Sequence, residues 1–255
     1  MINILIVSIL IGLIFAPLGC FVLWKRYVYY GDGLSHASML AAVISVIAGL
    51  PVFYAGIINT IFFAFIVFKV QNNSGNSAAV GLVSSIMIAI ALILSHIFPN
   101  QFYLNHILFG DIFAVNKQDI IVLSAILAAT MLFILSTYKK LVLIILSKDI
   151  AHSKGVKVKM LDFMFLSLLS FAIVATIKIV GALLVTSIIV IPAMIARLIS
   201  RSALIMIISA ICIAQLMNAG GIILSFFFDL PFAPVIILCG GTLYSIVAFL
   251  KRLYT

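Results

Sequence analysis

Long apolar runs, cut at intervals by a few charged or turn-forming residues, make up nearly all of this sequence. A helix crosses a hydrocarbon core with roughly 20 apolar residues, and the runs recur at about that length. The first extends from Ile2 to Trp24 and stops at Lys25-Arg26. A second begins near Asp32 and ends at Leu50, where Pro51 breaks it, and a third runs from Val52 to about Lys69. After the polar turn Gln71-Asn72-Asn73-Ser74-Gly75-Asn76, a fourth covers about Ala78 to Phe98. Pro99-Asn100-Gln101 then opens an external stretch holding His106 and Phe109-Gly110-Asp111. A fifth run, from about Asp119 to Tyr138, precedes the longest polar segment, Lys139 to Lys159. The rest reads as helices near 161–177, 179–197, 203–227 and 232–250. The pattern predicts an all-α polytopic transmembrane helical bundle of about eight or nine spans, eight if 161–197 folds as shorter or broken helices.

Pro192 sits inside one of these runs. Proline lacks the backbone donor and crowds the carbonyl of Ile188, so a kink or discontinuity is expected there. Such a break suits a gate hinge, and equally a static kink tolerated by neighbouring helices.

Composition fits this pattern. Of 255 residues, 66% are hydrophobic and 8% charged, where soluble domains carry about 25% charged residues. The net charge of +9 does not point to nucleic acid, because the basic residues fall between apolar runs, as the positive-inside rule expects of cytoplasmic ends. With the N-terminus outside, every basic residue except Lys117 and Lys178 lies inside, and those two are placed to snorkel to an interface. The first run lacks a positive n-region and a small-x-small cleavage pattern, so it is expected to be a retained span. Cys20, Cys212 and Cys239 are far apart, without metal-ligand spacing, and read as buried core thiols.

The acids are all aspartates: Asp32, Asp111, Asp119, Asp149, Asp162 and Asp229. Asp32 and His36 stand out, one helical turn apart in Gly31-Asp32-Gly33-Leu34-Ser35-His36-Ala37-Ser38. Residues at i and i+4 share a helix face, and carboxylate with imidazole binds divalent transition metals. An Asp at the bilayer centre costs about 2.5–3.5 kcal/mol on insertion scales, so it faces a water-filled path or a partner. A different reading also fits: Asp32 caps the second helix and His36 is an internal hydrogen-bonding histidine. Two ligands are too few for a closed cage. Two copies facing each other across a two-fold axis would double the set, so the metal reading predicts a dimer.

No G-x-x-x-x-G-K-[ST] loop is present to bind a nucleotide. The segment 139–160 carries Leu141-Val142-Leu143-Ile144-Ile145-Leu146 among lysines and reads as a docking element for another protein, or as a lipid-surface helix. Tyr30-Gly31-Asp32 and Phe109-Gly110-Asp111 raise an intramembrane aspartyl protease as a remote alternative. Tyr29 and Leu108 stand where its G-x-G-D signature needs glycine. The charge layout also puts Asp32 near the inner side and Asp111 outside.

Three segments together resemble the metal-type ABC importer permeases. They are Gly31 to Ser38, Leu108-Phe109-Gly110-Asp111-Ile112-Phe113-Ala114-Val115, and Val180-Gly181-Ala182-Leu183-Leu184-Val185 through Ile191-Pro192-Ala193. They stand in the family's order, and the similarity covers nearly the whole chain. Lys148-Asp149-Ile150-Ala151-His152-Ser153-Lys154-Gly155-Val156 resembles the family's coupling segment, which assigns Asp149, Lys154 and Gly155 to contact with an ATP-binding subunit. Phe109-Gly110-Asp111 looks most like the zinc-uptake members, since manganese relatives more often carry Ser after that Gly. One departure is Ala41, where a Gly often stands.

The resemblance implies one transmembrane permease domain over 1–255, with a cytoplasmic coupling segment at about 139–160, in the inner membrane of a bacterial cell. It implies a second copy of the chain, a separate cytoplasmic ABC ATP-binding subunit that hydrolyses ATP, and an external (periplasmic) zinc-binding protein. Zinc is then the transported substrate, with no permanently bound cofactor. Asp32 and His36 match ligand positions, and Asp111 and Pro192 are candidate pathway or gate residues. A manganese or iron importer of the same fold is the nearest alternative.

Overall fold

The computed structural model describes residues 2–50, 52–74, 76–98, 110, 112–182 and 184–253. Its helices are α1 (Ile2–Trp24), α2 (Tyr30–Ala48), α3 (Val52–Ser74), α4 (Asn76–Ile97), α5 (Lys117–Leu146), α6 (Lys148–Ser153), α7 (Val158–Val180), α8 (Val185–Ile199), α9 (Ala203–Phe228) and α10 (Phe232–Leu253). A 3-10 turn occupies Ile112–Ala114, and no strand occurs among the described residues. Eight helices are long and apolar enough to cross a membrane, and α8 is a shorter ninth.

The most uniformly apolar helix is the most enclosed. α1 is apolar all round and 72% buried, against 22% for α5 and α10, as expected of a helix surrounded by protein. It packs on α5, α8 and α9, while α2 packs on α3, α4, α7 and α8. Apolar contact alone gives little association in lipid, so close backbone approach and interhelical hydrogen bonds hold such bundles. A Cβ on Gly19 would lie 2.1 Å from the backbone oxygen of Ile189, so α1 and α8 meet at a distance only glycine permits. Nearer the start of α1, Asn218 Nδ2 donates to Ser8 O (2.8 Å) and Gln215 Nε2 to Ile9 O (3.1 Å), fastening α9 to α1.

Two helix ends differ from the expected ones. Gly49, in the left-handed region at φ 63°, closes α2 at Ala48, with Leu50 N–H donating to Ser45 O at 3.0 Å. α5 does not stop at Tyr138; its 30 residues run through Lys139 and Lys140 to Leu146. That is about 45 Å of helix, more than a ~30 Å hydrocarbon core needs, so part of it projects beyond the core. The polar segment therefore begins as a continuation of α5. Ser147 then turns the chain, its hydroxyl accepting from Ile150 N–H at the start of α6.

Pro192 does not interrupt the chain, because α8 continues through it from Val185 to Ile199. The discontinuity lies earlier, between α7 and α8, where Gly181 takes φ 91°. Gly110, at φ 64°, packs there so closely that a Cβ would sit 2.3 Å from Gly181 N. α8 is left with 15 residues, about 22 Å, too short to span a bilayer.

Ion pairs mark the two membrane faces. Lys25, just past α1, pairs with Asp162 in the first turns of α7, and its ammonium lies 5.5 Å from the Phe165 ring centre. Beside it, the Tyr27 hydroxyl donates to Gln71 Oε1. Burial chiefly, then the Asp162 charge and Tyr30, pushes the Tyr27 phenol up, so it stays protonated as a donor. At the other face Asn116 and Asp119 form a capping box at the start of α5, and Asp119 Oδ2 accepts from Lys178 Nζ at 2.9 Å. Lys178, an exception to the positive-inside pattern, thus has a carboxylate partner. Cys20 is buried as expected, whereas Cys212 is exposed on α9.

Candidate functional site

The start of α2 is fixed by contacts made one residue at a time. The Tyr30 hydroxyl lies 2.6 Å from Ser170 Oγ on α7, and its ring meets Phe63 of α3 edge-on at 5.4 Å. Ser170 already donates to Leu166 O, so Tyr30 is the donor of the pair. A Cβ on Gly31 would fall 2.3 Å from Thr186 Oγ1 on α8, and one on Gly33 would fall 2.4 Å from Val80 Cγ1 on α4. Asn59 Nδ2 of α3 donates to Ala37 O at 2.9 Å. Glycines at 31 and 33 are needed for this approach from both sides.

These contacts also set the depth. Ser170 stands twelve residues beyond Val158, where α7 leaves the lysine-rich segment. At 1.5 Å per residue that is about 18 Å along α7, whereas Val80, facing Gly33, is only four residues into α4. Asp32 therefore lies inside the bundle, between these two levels. α8 begins at a matching level, which is why Thr186 can reach Gly31.

Between the faces held by Gly31 and Gly33 lies a stripe of α2 left partly open, with Asp32, His36, Met39, Val46 and Ile47 all half-buried or exposed. The periodicity is that of one helix face. Asp32 is not the N-cap; that position is Tyr29, without a side-chain hydrogen bond, and Asp32 lies within the first turn. Among the described residues, neither Asp32 nor His36 makes a hydrogen bond or ion pair. Nor is there any group of three or more His, Cys, Asp or Glu able to hold a metal among them. One copy thus presents two ligand-type side chains on an open stripe, and not a closed cage.

The other candidate residues are dispersed. Asp111, with His106 and Phe109, lies outside the described residues, although its neighbour Gly110 packs on Gly181. Pro192 is buried within α8. Asp149 is exposed in the first turn of α6; Lys154 caps that helix, and Gly155 follows in the left-handed region at φ 71°. Sequence reasoning missed Tyr30, Asn59, Ser170 and Thr186. Asn59 and Ser170 were visible as polar residues inside apolar runs, but their partners were not. Thr186 Oγ1 is buried without a hydrogen-bond partner among the described residues.

Known proteins share this architecture. Residues 1–251 match the model of the ABC 3 transport family. The chain is 28% identical to the high-affinity zinc uptake system membrane protein ZnuB of Haemophilus influenzae, covering 97% of this chain and 96% of that protein. It is 30% identical to a probable iron transport system membrane protein of the same organism, over 96% and 91%. Among solved structures, PsaBC from Streptococcus pneumoniae in complex with Fab superposes with a TM-score of 0.83 at 27% identity, over 96% of this chain and 89% of that one. With the family's model matched almost end to end and the bundle superposing on a solved relative, this chain belongs to the ABC 3 transport family, as a multi-pass permease subunit of a metal-type ABC importer.

Proposed function

We propose that the chain is the permease of an ATP-driven importer that passes zinc(II) into the cytoplasm across a bacterial inner membrane. The observation that carries the site is the open stripe of α2, which holds a carboxylate and an imidazole inside the bundle with no partner among the described residues. Two copies related by a two-fold axis would bring these stripes together and supply two carboxylates and two imidazoles. Such a set replaces part of the ion's hydration shell in transit, while binding stays weak enough for release.

The partners follow from the same reading. Exposed α6, carrying Asp149 and followed by Lys154 and Gly155, presents a cytoplasmic contact for an ATP-binding subunit that hydrolyses ATP; the permease itself is not an enzyme. An external zinc-binding protein delivers the ion. Zinc is substrate, and no cofactor is held permanently. Movement of α6 reaches α2 through α7, which follows it directly and holds Tyr30 at Ser170. The protease alternative is set aside, because the family match extends over residues 1–251.

Zinc is favoured by the ZnuB relative and by Phe109-Gly110-Asp111. An iron or manganese cargo is the second reading, favoured by the relative described as a probable iron transporter. Affinity order alone does not choose among these ions. ATP-dependent uptake by the reconstituted complex, with zinc, manganese and iron in competition, tests the choice. Zinc should be taken up in preference; uptake of manganese or iron that zinc does not suppress would overturn it, and uptake without ATP would refute the importer reading.

A further inference from the structure

A cavity of about 310 Å³ opens where the ends of α1, α5 and α8 meet the start of α9. All four termini belong to the cytoplasmic face under the charge layout, and their meeting around one cavity agrees with it. The walls are of two kinds. Arg197 and Arg201 line one part with Ser200; Trp24, Leu146 and Met206 line another.

The basic part has no internal counter-charge. The two ion pairs among the described residues are Lys25–Asp162 and Lys178–Asp119, so neither arginine has a carboxylate partner there. Ser200 Oγ is buried and lacks a hydrogen-bond partner among the described residues. The long helix α9 starts beside them, capped by Ser202, whose hydroxyl accepts from Ile205 N–H. Paired guanidinium groups and a helix N-terminus both suit a phosphate. The apolar part does not suit a free anion. Leu146 is 77% exposed, and a tryptophan at a membrane interface sits at the level of the lipid headgroups.

We propose that this cavity binds an anionic phospholipid of the cytoplasmic leaflet. Arg197 and Arg201 meet the headgroup phosphate, and Trp24, Leu146 and Met206 cover the glycerol and first acyl carbons. Basic pockets between transmembrane helices on the cytoplasmic side bind such headgroups. The bound lipid touches the last turn of α5, directly ahead of α6.

Native mass spectrometry of the purified full chain, released from nanodiscs of phosphatidylglycerol or phosphatidylcholine, tests this without metal or ATPase. Phosphatidylglycerol should stay bound under activation that strips phosphatidylcholine. Arg197→Gln/Arg201→Gln should weaken retention by about thirtyfold, from the usual contribution of each basic residue near an anionic surface. Lys139→Gln/Lys140→Gln removes equal charge from α5 outside the cavity lining, where solvent screens it from the bound headgroup, and should change retention by less than about threefold. Ala203→Phe, which keeps both arginines but fills the cavity, should also expel the lipid. The proposal is overturned by equal retention in the arginine variant, by equal loss in the lysine variant, by retention in Ala203→Phe, or by displacement with millimolar inorganic phosphate.

Discussion

The Tyr30 hydroxyl donates to Ser170 Oγ, 2.6 Å away, from a fully buried position. This bond joins the first residue of α2 to the middle of α7 and so fixes where in the bundle the candidate ligands lie, two and six residues further on. Tyr30→Phe leaves Ser170 bonded to Leu166 O, so the cost should be modest, about 1 kcal/mol. A double-mutant cycle with Ser170→Ala, read by thermal unfolding in detergent, should give a coupling of about 0.5–1.5 kcal/mol. A coupling near zero would show that the two hydroxyls do not act together.

Asp32→Asn and His36→Ala should each reduce metal uptake to background. Both side chains lie on the open stripe without structural partners among the described residues, so recovery of the assembled complex should be unchanged and Asp32→Asn should cost no more than about 1 kcal/mol, its interaction with the start of α2. ATP-driven radiometal uptake into proteoliposomes, beside a thermal melt, separates the two effects. Full uptake by either variant would remove that residue from the path.

Gly31→Ala and Gly19→Ala should both destabilise by about 1–3 kcal/mol through overpacking, but only one is reparable. At Gly31 the obstacle is a side-chain atom, Thr186 Oγ1, so Thr186→Ala should restore stability to Gly31→Ala. At Gly19 it is the Ile189 backbone oxygen, so Ile189→Ala should give no rescue. Melting temperatures of the four single and double variants decide it.

The two ion pairs should differ sharply. Lys25 and Asp162 have side chains only 6% and 14% exposed, and Asp162→Asn, which removes a carboxylate from this little-solvated pair, should cost up to about 3–5 kcal/mol. Lys25→Met/Asp162→Leu should recover much of that. Lys178 is 51% exposed, so Lys178→Gln should cost no more than about 1 kcal/mol, and less in high salt.

Much of the architecture was legible in the chain. Hydropathy marks where oil begins, so Ile2–Trp24 emerged with both ends right. Hydropathy does not mark where a helix ends, however. Lys139 and Lys140 are good helix formers, and α5 runs past them into water. Pro192 drew attention as a breaker, yet neighbouring helices carry α8 through it, and the break falls where Gly110 presses on Gly181. Asp32 and His36 were visible as a spacing. Their depth was not, because it is set by Ser170 and Thr186, more than a hundred residues away in the chain.

The first turn of α2, in which Asp32 sits, has one more consequence. A helix start carries a fractional positive charge, near half a proton's worth, and α2 and the truncated α8 both begin at this level. The carboxylate is therefore partly neutralised before any cation arrives. An arriving ion therefore meets a shallow well, built for passage more than for residence.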